Sequence, residues 1–161
     1  MGFDSQEQRR IFAKFATGVT VASTIVEGET WGMTANAVTS LSLDPPLVLL
    51  CVVRESQSHA KFQDGGCFAL SILSSEQQDL SDRFAFKGPK DFSELDTTTA
   101  ETGAPVLSGA LAWVDCKLVE ILSGGDHDIF VGEIVAGEVG ADGGPLLYYS
   151  GGYARLAENE Q

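Results

Sequence analysis

The spacing of apolar positions changes several times along the chain, and each change marks a predicted element. Near the start Ile11, Phe12 and Phe15 share one helical face behind the cap candidates Asp4 and Ser5, with Glu7 and Gln8 three residues on. This predicts a helix that Gly18 ends. From residue 19 the pattern is β-branched through residue 26, Glu27-Gly28-Glu29 supplies a turn, and residues 30–38 return, which predicts a hairpin. After Asp44-Pro45-Pro46, residues 47–53 are apolar without alternation, as in a central strand covered on both faces. Residues 58–63 suit a short helix capped by Ser58 and broken by Gly65-Gly66, and residues 67–73 read as another buried strand. Ser74 and Ser75 open a helix toward Phe84, and residues 87–105 read mainly as a long surface loop of the kind that covers sites. Residues 111–122 are the longest strand candidate. Ser123-Gly124-Gly125-Asp126 turns it, residues 127–139 come back, and residues 146–149 add a last strand.

Six or seven strands joined by short turns favour antiparallel pairing, and closing such a sheet removes its exposed edges. The expected architecture is mostly β, a small antiparallel barrel with short peripheral helices. A length of 161 residues with 43% hydrophobic content matches one core, and no repeat or linker divides it, so residues 1–161 are expected to form one domain.

Composition narrows the chemistry. A net charge of −13 disfavours nucleic acid and anionic lipid, both of which are bound by neutralising phosphate. No stretch approaches the roughly 18 to 20 apolar residues of a membrane span. The first residues read as a polar helix, not as a signal peptide, so a cytoplasmic location is expected. Cys51, Cys67 and Cys116 lie in apolar runs without a CxxC pair and read as reduced, buried thiols. His59 and His127 are the only histidines, which excludes a multi-histidine metal site. Residues 140–144 lack the order and context of a dinucleotide-binding glycine loop. Trp31 and Trp113 read as core. Against the acidic background, Arg54, Lys61, Arg83, Lys87 and Lys90 cluster in one segment, where an anionic group is expected to bind.

The most informative block is residues 32–49, Gly32-Met33-Thr34-Ala35-Asn36-Ala37-Val38-Thr39-Ser40 followed by Leu41-Ser42-Leu43-Asp44-Pro45-Pro46-Leu47-Val48-Leu49. Small polar residues fill its first half, where a barrel strand ordinarily carries bulk. Two readings stand: a tight corner between strand and turn, or a cradle in which a flat ring approaches the backbone and hydrogen-bonds its N–H and C=O groups.

At this block the chain resembles the flavin reductase family with the FMN-binding split β-barrel fold, the reductase components of two-component flavin monooxygenases. The resemblance begins at Phe15-Ala16-Thr17-Gly18-Val19-Thr20-Val21 and continues through Ser56-Gln57-Ser58-His59 and Ser81-Asp82-Arg83-Phe84. It extends over Gly109-Ala110-Leu111-Ala112-Trp113, Gly125-Asp126-His127, Pro145-Leu146-Leu147-Tyr148-Tyr149 and Gly152-Tyr153. It implies that Asn36, Ala37, Val38, Thr39 and Ser40 meet a flavin ring and ribityl chain, with Cys51 and Val52 alongside. Ser56, Ser58, His59, Arg83 and Phe84 would take the phosphate side, which agrees with a helix N-terminus and a basic segment at those positions. His127, Tyr148, Tyr149, Ser150 and Gly151 would meet the nicotinamide, although many relatives carry Arg where Ser150 stands. By its residues alone, His127 reads more readily as a rim histidine without a role than as a ligand contact.

The resemblance implies a homodimer in which NADH or NADPH reduces FMN or FAD, and the reduced flavin passes by diffusion to a partner monooxygenase. Hydride transfer from nicotinamide C4 to flavin N5 needs alignment more than an acid or nucleophile, so no covalent catalytic residue is expected. Two alternatives stand beside it: a flavoprotein oxidase or reductase of the same fold with tightly bound FMN, acting on an organic substrate, and a non-enzymatic flavin- or haem-binding module.

Overall fold

A computed structural model describes residues 2–86 and 88–157; Lys87, one of the basic cluster, lies outside them. Asp4 accepts the N–H of Gln6 and starts helix α1 (Ser5–Phe12). The helix stops at Ala13, short of the predicted end, and Gly18 belongs to strand β1 (Thr17–Gly18) instead. No residue of α1 is buried, so tertiary packing does not extend it past its capped turns. Strands β2 (Thr20–Val26) and β3 (Glu29–Ala35) form the predicted hairpin, and Glu27 and Gly28 both take positive φ across its two-residue turn.

The return strand ends at Ala35, three residues early. Asn36-Ala37 makes a corner, and the chain sets off again as β4 (Val38–Leu43) along β5 (Pro46–Val53). Strand β5 is not the central strand that its unbroken apolar run predicts. It lies beside the edge strand β4, with Val48, Leu50 and Val52 buried and Leu47, Leu49 and Cys51 only half-buried. Leu49 and Cys51 are apolar because they wall a cleft rather than a second core.

Helix α2 (Gln57–Gly65) is capped by Ser56, not by Ser58: Ser56 is extended and its hydroxyl accepts the N–H of His59. Gly66 in the left-handed conformation ends the helix, and β6 (Cys67–Ile72) follows. Helix α3 (Gln78–Ala85) begins later than Ser74 and Ser75 suggest, because Ser74 bridges Pro145. The stretch read as a surface loop is partly structural. Its β7 (Thr97–Thr99) pairs with β8 (Pro105–Leu107), Phe92 is buried, and Lys90 O accepts the N–H of Gly32 at 2.7 Å. Strands β9 (Ala112–Gly124) and β10 (His127–Val139) form a long hairpin; β11 (Leu147–Tyr149) and β12 (Gly152–Ala154) make a small sheet with β1.

The main sheet runs β3-β2-β6-β9-β10-β5-β4, antiparallel throughout. Its edges β3 and β4 do not pair with each other, yet they meet at the Asn36-Ala37 corner, where Cys51 N–H donates to Ala37 O at 3.0 Å. One core holds Ala35 from β3, Val48 from β5, Phe68 from β6 and Phe130 from β10 together with Phe62 of α2, so the sheet curls on itself and is split at that corner. The predicted split barrel is the fold observed. Trp31 and Trp113 pack against core clusters, as read. Cys67 and Cys116 are buried thiols, and burial, then the charge of Asp115, pushes Cys116 up to about 12. Cys51 departs from the expectation, since it is only half-buried.

Candidate active site

The corner at Asn36 is where the surface opens. Three adjoining clefts of about 250, 430 and 960 Å³ all share Asn36, so they form one groove across the split of the barrel. One arm is walled by Ala35, Ala37, Cys51, Val52, Ser56 and His127. The second passes Val38, Thr39 and Leu49 to Phe12, Phe15 and Arg9, and the third runs between Ser81, Asp82, Tyr153 and the β11–β12 turn. Asn36 itself is exposed and tethered, its amide donating to Thr17 Oγ1 at 3.2 Å.

Of the residues that the resemblance assigns to a flavin ring, Asn36, Ala37, Val38 and Thr39 line this groove, with Cys51 and Val52 opposite. Ser40 lies one position further along β4, outside the lining. Burial raises the Cys51 thiol above its ordinary value, so it stays protonated near neutrality.

The residues assigned to the phosphate side divide. Ser56 and Ser58 line the groove, but Ser58 is buried within α2 and its hydroxyl accepts Trp31 Nε1–H at 2.9 Å. The His59 ring packs edge-on to Phe130 and bonds Asp128 through Nε2 at 2.8 Å, away from the groove. Phe84 is 1% exposed and stacks on Phe92 at 4.7 Å, so its ring is part of the core. Arg83 donates to Asp91 O at 3.2 Å, and its buried Nε has no partner among the described residues.

Strand β3 explains the division. Its side chains alternate, with Trp31 and Met33 turned to the barrel core and to Ser58, whereas Gly32 faces Phe84 and Thr34 donates to Ser81 O at 2.6 Å. Ser58 and Arg83 therefore sit across an edge strand from each other, and a ligand touching both would have to pass around that edge. A second cleft of about 700 Å³ lies there, lined by Trp31, Lys61, Lys90 and Asp91. Lys90 donates to Phe84 O at 2.6 Å, and burial lowers its amine below the ordinary value.

On the nicotinamide side, His127, Tyr148 and Gly151 line the groove, whereas Tyr149 and Ser150 stand beside it. His127 Nδ1 lies 2.7 Å from Asp126 Oδ1, a bond that holds the Asp126 carboxyl below the usual carboxylate range. Ser150 takes positive φ in the β11–β12 turn, and its N–H donates to Ala13 O at 2.8 Å. Lys14 Nζ donates to Ser150 Oγ at 3.4 Å and lies 5.8 Å from the Tyr149 ring centre, so a cation stands beside Ser150.

Sequence reasoning missed Lys14 and the trio Ser81, Asp82 and Tyr153. Ser81 Oγ and Tyr153 OH lie 2.7 Å apart, and Tyr153 OH donates to Asp82 Oδ1 at 3.0 Å. Burial raises the Tyr153 phenol. Helical spacing puts Ser81 and Asp82 on α3, but no sequence signal shows that β12 brings Tyr153 onto them.

The model of the flavin reductase like domain matches residues 12–157 of this chain. The chain belongs to the flavin reductase family. It is 37% identical over 153 residues to the reductase subunit HsaB of a flavin-dependent monooxygenase from Rhodococcus jostii (strain RHA1), covering 95% of this chain and 78% of that protein. Among solved structures, BorF, the flavin reductase component of a bacterial two-component tryptophan halogenase, superposes with a TM-score of 0.91 and 39% identity over 97% of this chain and all of that one. The NADH:FAD oxidoreductase SgcE6 of Streptomyces globisporus C-1027, solved with NAD and FAD fragments, gives a TM-score of 0.90 and 36% identity, covering 98% of this chain and 96% of that one.

The groove of this flavin reductase family member fits a flavin. Ala35, Ala37 and Ser56 leave the corner free of bulk, Val38, Leu49 and Cys51 offer an apolar wall, and Asn36 and Thr39 supply polar groups at the rim. Within the described residues, no group of three or more His, Cys, Asp or Glu could hold a metal, and no helix is long and apolar enough to cross a membrane.

Proposed function

We propose that this protein is an NAD(P)H-dependent reductase that takes FMN or FAD in the Asn36 groove and releases it reduced for use by a monooxygenase. The observation that carries this reading is the groove itself: an open cleft lined by small residues at the split of the barrel, with His127 and Tyr148 on walls that meet at Asn36. When bound, the flavin supplies the redox chemistry, accepting a hydride from the reduced nicotinamide. The chain's own residues bind and align. Asn36 and Thr39 would hydrogen-bond the ring's polar edge, Cys51 and Leu49 would pack against its apolar side, and His127 would orient the nicotinamide toward it. Lys61 and Lys90 line the cleft beside β3, and Arg83, which bonds Asp91 O next to it, adds a third positive charge to an otherwise acidic molecule for the flavin phosphate.

The groove is open to solvent and partly walled by Phe12 and Phe15, which are 64% and 72% exposed. That supports a homodimer in which a second copy covers this apolar wall. The relatives' role as monooxygenase or halogenase components supports release of reduced flavin to a separate enzyme. Oxidation of NADH and of NADPH, each measured with FMN, FAD and riboflavin added, tests the reading. Turnover that needs added flavin is expected, and a protein that binds flavin yet oxidises neither nicotinamide would reject it.

A further inference from the structure

His59 and Asp128 are absorbed by neither wall of the groove, yet they join the two. Asp128 is the residue after His127, and both its oxygens are engaged: Oδ1 accepts Arg54 Nε–H at 2.7 Å, and Oδ2 lies 2.8 Å from His59 Nε2. Arg54 also donates to Ser123 Oγ, and its backbone N–H donates to Asp126 O at 3.0 Å. Asp128 thus ties the tip of the β9–β10 hairpin, residues 123–128, to the end of β5 and the first turn of α2. Its side chain is only 15% exposed, as is that of His59.

We infer that Asp128, with His59 and Arg54, is a positioning device that sets His127 at the correct height over the flavin groove. The inference rests on the reading of His127 as the nicotinamide contact. The two ends of the clamp are unequally secured. Helix α2 is anchored independently by the buried Phe62, the Ser56 cap and the Ser58–Trp31 bond. The hairpin tip is exposed from Ser123 to Asp126, where the ladder ends at the His127–Gly124 and His127–Val53 pairs. Removing the clamp therefore leaves the hairpin tip held by backbone bonds alone and leaves the α2 wall in place, so the nicotinamide side loosens and the flavin side does not. This also gives the His59 ring a role other than phosphate binding, consistent with its turn toward Phe130.

The test is a double-mutant cycle between Asp128→Ala and His127→Ala in the full-length protein, with Asp128→Asn as the conservative variant. The measurements are KM and kcat for NADH, flavin affinity by fluorescence, and a melting curve. A misplacement near 1 Å can cost up to about a hundredfold in rate, so Asp128→Ala is expected to lower kcat/KM for NADH on the order of tenfold while flavin affinity changes less than about twofold. Asp128→Asn, which keeps an acceptor for Arg54, should restore most of the loss. If Asp128 acts through His127, the double variant is no worse than His127→Ala alone. Additive losses, or a fall in flavin affinity equal to the fall for NADH, would overturn the positioning role. If His127→Ala itself leaves the NADH dependence unchanged, the reading of His127 fails first; if only Asp128→Ala is silent, the positioning inference fails alone.

Discussion

Arg83 is one of few cations in an acidic chain, and it stands in the last turn of α3. Its charge in an acidic chain marks it, but its neighbours could not be read from the sequence: the guanidinium bonds Asp91 O and lies 5.7 Å from the Phe84 ring centre. The Asp91 carboxyl beside it is held below its ordinary value, mainly by the hydroxyl and N–H of Ser93 and less by Arg83. Arg83 is thus held without a tight ion pair, its closest approach to Asp91 Oδ1 being 4.0 Å. If it meets the flavin phosphate, Arg83→Ala should weaken FMN and FAD but leave riboflavin, which lacks the phosphate, nearly unaffected. A charge-assisted hydrogen bond is worth about 1.5 to 3 kcal/mol, so the loss should be on the order of tenfold to a hundredfold in Kd. Equal weakening of all three flavins in a fluorescence titration would remove Arg83 from the phosphate site.

At the scale of elements, the long β9–β10 hairpin, the β2–β3 hairpin and β6 were legible, because β-branched runs bounded by Gly and Asp turns dictate them locally. Strand β4 was not. Its Ser40–Ser42 bulge interrupts the register, and its exposed Leu43 has no core partner to announce it. The groove was half legible. The small residues of 35–39 pointed to a corner, but Tyr153 reaches the groove there only through the β1-β11-β12 sheet, whose strands are too short for periodicity to reveal. Helix capping misled by two residues, and with it the role of Ser58. Close packing within β10 gives a separate test. A Cβ added at Gly132 would lie 2.6 Å from Phe68 Cζ and 2.8 Å from Cys116 Cβ, both buried. Overpacking of this kind costs about 1 to 3 kcal/mol, so Gly132→Ala should lower the Tm by several degrees; an unchanged melting curve would show that the barrel wall yields there. The clamp on the same hairpin titrates. His59, then Arg54, hold the Asp128 carboxyl below its ordinary value. A lowered native value gives stability that is present above the unfolded value and lost as pH falls through the native one. The Tm advantage of the native protein over Asp128→Asn should be full above about pH 5 and close as pH drops below about 4. A gap that widens in acid would contradict that sign.

For the molecule as a whole, a charge of −13 and an open groove favour a ligand that comes and goes over one locked in place. An acidic surface does not attract an anionic dinucleotide at long range, so binding must come from local groups such as Lys14, Arg83 and Lys90, two of them already holding backbone carbonyls. The split barrel supplies part of the groove's walls, α1 and the β1-β11-β12 sheet supply the rest, and small residues at the corner would leave a bound flavin ring accessible to a second ring. These features separate a reductase that treats flavin as a substrate from a flavoprotein that keeps it. The measurement that separates them most directly is anaerobic mixing of a catalytic amount of the protein with excess NADH and a large molar excess of FMN or FAD, followed by loss of the oxidised-flavin absorbance. The account predicts reduction of many flavin equivalents per chain at a steady rate. Bleaching that stops at one equivalent per chain, with the remaining flavin left oxidised, would contradict it.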